Sequence, residues 1–195
     1  KEKIYKRFNR TIKVDSSIIG ILIIDKGGVI VASNDKDEVE GTNKLSDPYF
    51  FNAKSNSYVK DVYYSKTINK NIYSISSPIL DDNSGLLGVS VLKFSLNELN
   101  SIIKSQKGLG DSEETFLINK DKYFITVSKF LGESVILSKK VLTKNANDCY
   151  DQKEIDYIKK NDGYSGLTER LGSQINEAKD YRNVDVTATH FYIPE

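Results

Sequence analysis

The sequence predicts an α+β chain of two tandem modules, each built on a central antiparallel sheet, with a helix ahead of the first. Three observations carry this. Residues 71–96 read NIYSISSPILDDNSGLLGVSVLKFSL, two apolar, β-branched runs around Asp81, Asp82, Asn83, Ser84 and Gly85. Such turn residues tolerate left-handed backbone or bond to their own main chain, so the stretch reads as a hairpin. IIGILIID (18–25) and VIVAS (29–33) flank Lys26, Gly27 and Gly28 as a second hairpin. Its signature returns about 90 residues further on: Leu22-Ile23-Ile24-Asp25-Lys26 is matched by Phe116-Leu117-Ile118-Asn119-Lys120, and Val29-Ile30-Val31 by Tyr123-Phe124-Ile125. A strand-turn-strand signature repeated at that distance points to two related units, each large enough for a small core.

Taken in order, Lys1 to Arg10 set Ile4, Tyr5 and Phe8 at helical spacing with no capping signal before them, so residues 1–17 read as the end of a longer N-terminal helix. The sequence contains no methionine; with this start and the FYIPE ending, that predicts a piece of a larger protein. After the first hairpin, residues 33–57 form a polar excursion in which Asp47-Pro48 favours a turn and Tyr49, Phe50, Phe51 and Ala53 add apolar weight. Excursions of this length in compact domains are usually functional or disordered, and the aromatic cluster predicts that this one folds back over the sheet and roofs a cavity. YVKDVYYS (58–65) supplies the fifth strand of the first module, residues 18–95. SLNELNSIIKS (95–105) predicts a linking helix within residues 96–109, capped by Ser95 with Glu98, and with Leu96, Leu99, Ile102 and Ile103 on one face.

The second module, residues 110–195, is expected to open with the repeated hairpin over 114–128. A helix over 147–160 follows, with Tyr150, Ile155 and Ile158 inward and Asn161-Asp162-Gly163 as its end, then a short strand in GYSGLTE. Val184, Val186, Ala188, Phe191 and Ile193 alternate over 178–194 as on a half-buried strand, with one further strand expected beyond Glu195.

Composition excludes several functions. The 195 residues are 28% charged and 38% hydrophobic, ordinary for a globular chain, and the formal net charge of +1 gives no single-sign field to draw in nucleic acid or an anionic membrane. The lone cysteine, Cys149, removes an intrachain disulfide and the usual cysteine-based zinc cluster; with no histidine near it, it reads as a small buried residue. No apolar run approaches the roughly 18–20 residues needed to cross a bilayer, and no stretch reads as a signal peptide.

ILIIDKGGVIVAS, LSDPYFFNAK, YVKDVYYS, SISSPILDDNSGLLGVSVLKFSLNEL, GLGDSEETFLINKD and VLTKNANDC, with the FYIPE ending, in this order and spacing resemble the double Cache (tandem PAS-like, PDC) extracytoplasmic sensor domain of membrane histidine kinases and chemoreceptors. The resemblance spans nearly the whole chain. It implies two PAS-like modules. The membrane-distal one, 18–95, would hold the ligand pocket and the membrane-proximal one would be 110–195, on a truncated N-terminal helix, with transmembrane helices outside this stretch. It implies no cofactor, a location at the cell membrane with this part outside the cytoplasm, and a homodimeric receptor, a sensor histidine kinase by preference; the isolated chain is expected to be monomeric.

The amino-acid-binding members of that family share a Tyr, four residues, an Arg, one residue and Trp-Tyr, then Tyr-x-Asp on the next strand and an Asp on the last. The matching positions are Thr42, Asp47, Tyr49 and Phe50, then Tyr63 and Ser65, then Lys93. The resemblance thus implies a ligand site of Asp47, Tyr49, Phe50, Tyr63, Ser65 and Lys93. Aromatic residues are kept, but Asp47 and Lys93 reverse the charges that would pair with an amino acid's carboxylate and ammonium, so a free α-amino acid in the usual orientation does not fit. Three readings stay open. Asp47 and Lys93 pair with each other inside the cavity; Asp47 only caps the turn before Pro48; or Lys93 receives a carboxylate, making the ligand a small organic acid walled by Tyr49, Phe50 and Tyr63.

Other candidates take plainer readings. His190 has no second ligand near it, and Asp81-Asp82-Asn83 lacks the rest of a calcium loop. Asp35, Asp37, Glu38 and Glu40 read as a solvated acidic loop, and Gly108-Leu109-Gly110 precedes a strand where a dinucleotide loop would follow one. Two function classes remain: a ligand-sensing domain of a signalling receptor, or an adhesion or interaction module of the same fold. No nucleophile-base pair, metal set or phosphate loop supports an enzyme in this stretch.

Overall fold

The computed structural model describes residues 2–35, 38–66, 68–105, 110–150, 176–190 and 193. It divides into two compact units, Lys1–Thr115 and Phe116–Glu195. In the first, helix α1 (Glu2–Val14) leads into strands β1 (Ile18–Asp25) and β2 (Ile30–Ser33), a one-turn helix α2 (Pro48–Phe51), strands β3 (Tyr58–Ser65), β4 (Lys70–Leu80) and β5 (Leu86–Ser95), and helix α3 (Asn97–Lys104). The strands form one sheet in the order β2-β1-β5-β4-β3, antiparallel throughout.

Both hairpins are closed by the same device. Asp25 Oδ1 accepts from the backbone N–H groups of Gly27 and Val29, and Asp81 Oδ1 from those of Asn83 and Gly85. A carboxylate that bonds its own chain two and four residues on fixes the turn before the strands have paired. Gly28, at φ +82, is required twice over, since a Cβ there would stand 2.6 Å from Leu45 Cγ.

Strand alternation sorts side chains onto two faces. On one, Leu22, Ile24, Val89 and Val91 pack with Ile30 beneath Tyr49, Phe50 and Ala53 from α2 and its flank. On the other, Ile18, Ile21 and Ala32, with Ile23, Leu92 and Phe94, pack against Phe8, Tyr5 and Ile12 of α1. The excursion after β2 does fold back over the sheet, as its aromatic cluster implied.

The expected cap of α3 does not form. Ser95 is still held in the β-ladder opposite Ile72, Leu96 takes the cap position without a side-chain bond, and Ile102 remains 59% exposed, so of the anticipated apolar stripe only Leu96 is buried.

In the second unit, the repeated signature yields the turn without the sheet. Asn119 Oδ1 accepts from the Tyr123 N–H, and Ile118 bridges Phe124, which matches the Asp25 turn; beyond that, pairing among the described residues is limited to isolated bridges and one ribbon. The ribbon pairs β6 (Asn176–Lys179) with β7 (Asp185–Ala188). A single strand was expected over this stretch. Asp180 Oδ1 instead accepts from the N–H groups of Arg182 and Val184 and turns the chain back. Helix α4 (Lys144–Asp148) starts earlier than expected because Thr143 caps it, accepting from the Ala146 N–H. Most of the helix expected to Lys160 and the strand expected in GYSGLTE lie outside the described residues. The core of this unit gathers Phe124, Val135, Val141 and Ala146 with Phe116, Ile118 and Tyr181, and Cys149 is buried.

Candidate functional site

The face of the first sheet beneath α2 is apolar at one end and charged at the other. Lys93 alternates inward with Val89 and Val91, and its neighbour across the β1–β5 ladder is Gly20. A Cβ at Gly20 would meet Asp35 Oδ2 at 3.1 Å and Lys93 Cβ at 3.4 Å, so the missing side chain is the space in which Asp35 enters. Asn34, at the end of β2, accepts from the Ile21 N–H through its side chain, and the Ser33 hydroxyl accepts from the Asp35 N–H. These bonds swing the chain across the end of β1 and bring the acidic loop over the sheet.

That loop is not solvated as expected: Asp35 and Glu38 are each 8% exposed. Lys93 Nζ lies 2.7 Å from Asp35 Oδ2 and 3.0 Å from Glu38 Oε1. Glu38 Oε2 is 2.7 Å from Lys44 Nζ, Lys44 is 3.5 Å from Asp47, and Asp47 is 3.5 Å from Lys60. Asp35, Lys93, Glu38, Lys44, Asp47 and Lys60 thus form a chain of alternating charge. Side-chain exposure rises along it from 2% at Asp35 to 24% at Lys60. The Lys93–Asp47 pair is therefore corrected: Lys93 has two closer carboxylates, and Asp47 faces two other lysines. Asp47 also precedes Pro48 of α2 without a side-chain capping bond, which removes the turn-cap reading.

The tyrosines are part of the same array. Tyr49 OH donates to Glu38 Oε1 at 3.1 Å. Burial, with the charges of Glu38 and Asp47 beside it, pushes the Tyr49 phenol far above its ordinary range, so it stays a donor. The Lys60 ammonium stands over both rings, 4.3 Å from the Tyr63 centroid and 5.1 Å from that of Tyr49. Ser74 lies across the ladders from both Lys60 and Lys93 and is fully buried. Its hydroxyl is the hydrogen-bond neighbour of the Tyr63 phenol, which burial pushes above its ordinary value.

Of the six residues assigned from the sequence, Asp47, Tyr49, Tyr63 and Lys93 converge here. Phe50 belongs to the adjoining apolar cluster, and Ser65 sits buried at the end of β3, accepting from the Ile68 N–H at 3.4 Å. Asp35, Glu38, Lys44, Lys60 and Ser74 were missed. A signal for Asp35 existed: a glycine opposite an inward lysine marks a place where something else must enter.

Burial alone would raise the Glu38 carboxyl, but hydrogen bonds and charge from Lys44 and Lys93 outweigh it and hold it below its ordinary value of 4.5. A carboxyl more acidic in the folded than in the unfolded chain stabilises the fold above its unfolded value, and that stabilisation is lost as pH falls through the folded one. The urea midpoint should therefore drop as pH falls below the ordinary glutamate value, and Glu38→Gln should flatten the drop. Equal slopes in both proteins would assign the acid sensitivity elsewhere.

No protein-family model and no curated protein matches the sequence. Among solved structures, the ligand-binding domain of the Pseudomonas fluorescens chemoreceptor CtaA in complex with L-serine matches 65% of this chain and 54% of its own, at 18% identity and TM-score 0.50. The ligand-binding domain of the Campylobacter jejuni chemoreceptor Tlp3 in complex with 4-methylisoleucine matches 71% of this chain and 53% of its own, at 13% identity and TM-score 0.50. The sensor domain of the V. cholerae histidine kinase DctB matches over 64% and 47%, at 18% identity and TM-score 0.48. The chain spans about half the length of these structures. At such identities the fold alone is what is shared: the α+β chain with a five-stranded antiparallel sheet expected from the sequence is present, and the second PAS-like module is not shown.

Proposed function

We propose that this chain is a ligand-sensing module of a membrane-anchored signal-transduction receptor, a sensor histidine kinase or a chemoreceptor. It binds a small molecule against the charged end of the first sheet, in contact with Asp47, Tyr49, Tyr63 and Lys93, with Phe50 and Ser65 behind them. One observation carries the reading, the contrast between the two faces of a single sheet. The face toward α1 gathers Ile18, Ile21, Ala32 and Phe8 into an apolar cluster, whereas the face under α2 buries a run of charges and two tyrosines beside its own apolar cluster. Apolar groups of similar volume would serve stability as well or better, so burying polar groups there is the arrangement of a recognition site. A fold like that of two chemoreceptor ligand-binding domains supports it.

Binding in this fold acts by preferring one of two arrangements, and its effect on signalling is bounded by that difference in affinity. A thermal-shift screen over organic acids, amines and sugars tests the reading. A ligand at 100 times its Kd stabilises the fold by about 2.7 kcal/mol, a shift that Tyr63→Phe should reduce. Silence across every class would favour an interaction module without a small ligand.

A further inference from the structure

We propose that the Lys60 ammonium is a tethered occupant of a monocation-binding box, and that the ligand of this site is a small organic ammonium that takes its place. This rests on the sensing reading above and adds the ligand class to it. The box consists of groups that each favour a cation: the faces of Tyr63 and Tyr49, at 4.3 and 5.1 Å, and Asp47 Oδ1, at 3.5 Å. Both rings lie within the roughly 6 Å over which an aromatic face attracts a cation. Lys60 is also the member of the charge chain best able to leave. Lys93 is buried between Asp35 and Glu38 and Lys44 bridges Glu38 and Asp47, whereas Lys60 has Asp47 alone, at the long end of ion-pair range, and stands at the most exposed end.

Charge balance sets the class. Three ammoniums face three carboxylates, so when Lys60 swings into solvent the site is left with one excess negative charge beside two tyrosine faces, and a monocation restores neutrality. An anion meets the opposite conditions. The remaining lysines are each shared between carboxylates, and Asp47 and Glu38 stand where it would bind. The organic-acid ligand expected from Lys93 loses its basis for the same reason. On the sheet face behind the box lie the paired hydroxyls of Ser74 and Tyr63, which a hydroxyl or amide at the far end of the ligand would meet.

Titration calorimetry of the wild-type chain and Lys60→Ala, with ethanolammonium chloride and its charge-reversed counterpart sodium glycolate, tests this. A tethered group competes at an effective concentration in the millimolar range, so removing it should tighten ethanolammonium binding about ten-fold. Adding Asp47→Asn should abolish the gain, the melting temperature of Lys60→Ala should stay near wild type, and neither protein should bind glycolate. Equal ethanolammonium affinity in both proteins, or glycolate binding by Lys60→Ala, overturns the tethered cation and leaves the sensing reading intact. Failure of both probes in both proteins also overturns it, and the broad screen then decides the sensing reading by itself.

Discussion

Lys93→Ala should lower the stability of the first unit by about 3–5 kcal/mol, read as the urea midpoint at neutral pH with the slope unchanged. The loss comes from what the lysine leaves behind. Asp35 loses its lysine, and Glu38 one of its two, in a site where their side chains are 2% and 10% exposed. Burial works against the Lys93 charge, but the bond to Asp35 and the neighbouring carboxylates more than compensate and raise its pKa above the ordinary lysine value of 10.5. Its stabilising charge is thus present at neutral pH and lost only as pH climbs through that raised value. Asp47→Asn, at the open end of the same chain, should cost under about 1 kcal/mol. Equal costs for the two substitutions would mean that Asp47 is the partner of Lys93 after all, and a neutral Lys93→Ala would place this side chain outside the fold.

Phe50→Ala should cost a similar amount, about 3–5 kcal/mol, while its neighbour Phe51→Ala should stay within about 0.5 kcal/mol of wild type. Phe50 is fully buried among Leu22, Ile24, Val89 and Val91, whereas Phe51 is 64% exposed. The α2 helix is a single turn and cannot hold itself by backbone bonding, so its place over the sheet depends on this anchor. Removing Phe50 should therefore also unseat Asp47 and Tyr49 and weaken whatever ligand the screen finds. Comparable losses at Phe50 and Phe51 would show that α2 is held by something other than this core.

The parts of the fold legible in the sequence were those whose cause is local. Asp25 and Asp81 close their turns within a few residues, and alternation along β5 sets Lys93 on the opposite face from Leu92 and Phe94 without knowledge of any partner. The ion network was not legible because its members meet from far apart: Glu38 and Lys93 are 55 residues distant. An acidic run beside polar turn residues has the composition of a solvated loop whether or not a buried lysine waits for it. In the second unit the apolar runs looked like strands, but the Asp180 turn overrode the alternation through Val184, and Ser95 was claimed by the ladder before it could cap a helix.

The strand order has a consequence for how the chain is made. β1 lies inside the sheet between β2 and the central strand β5, with Ile18 opposite Phe94. As the chain leaves the ribosome, β1 and β2 emerge first as a two-stranded ribbon with Leu22 and Ile24 on one side and Ile21 and Ile23 on the other. Two-stranded ribbons are marginal by themselves, and until β5 has been synthesised the inner edge of β1 is unpaired and the Leu22 and Ile24 side lacks Val89 and Val91. The β4–β5 hairpin, closed by Asp81, can form as soon as it appears and then offers that edge its mate. Assembly of the sheet thus waits on the last strand of the unit, and the nascent chain is most exposed to sticking to its neighbours just before Leu86 emerges.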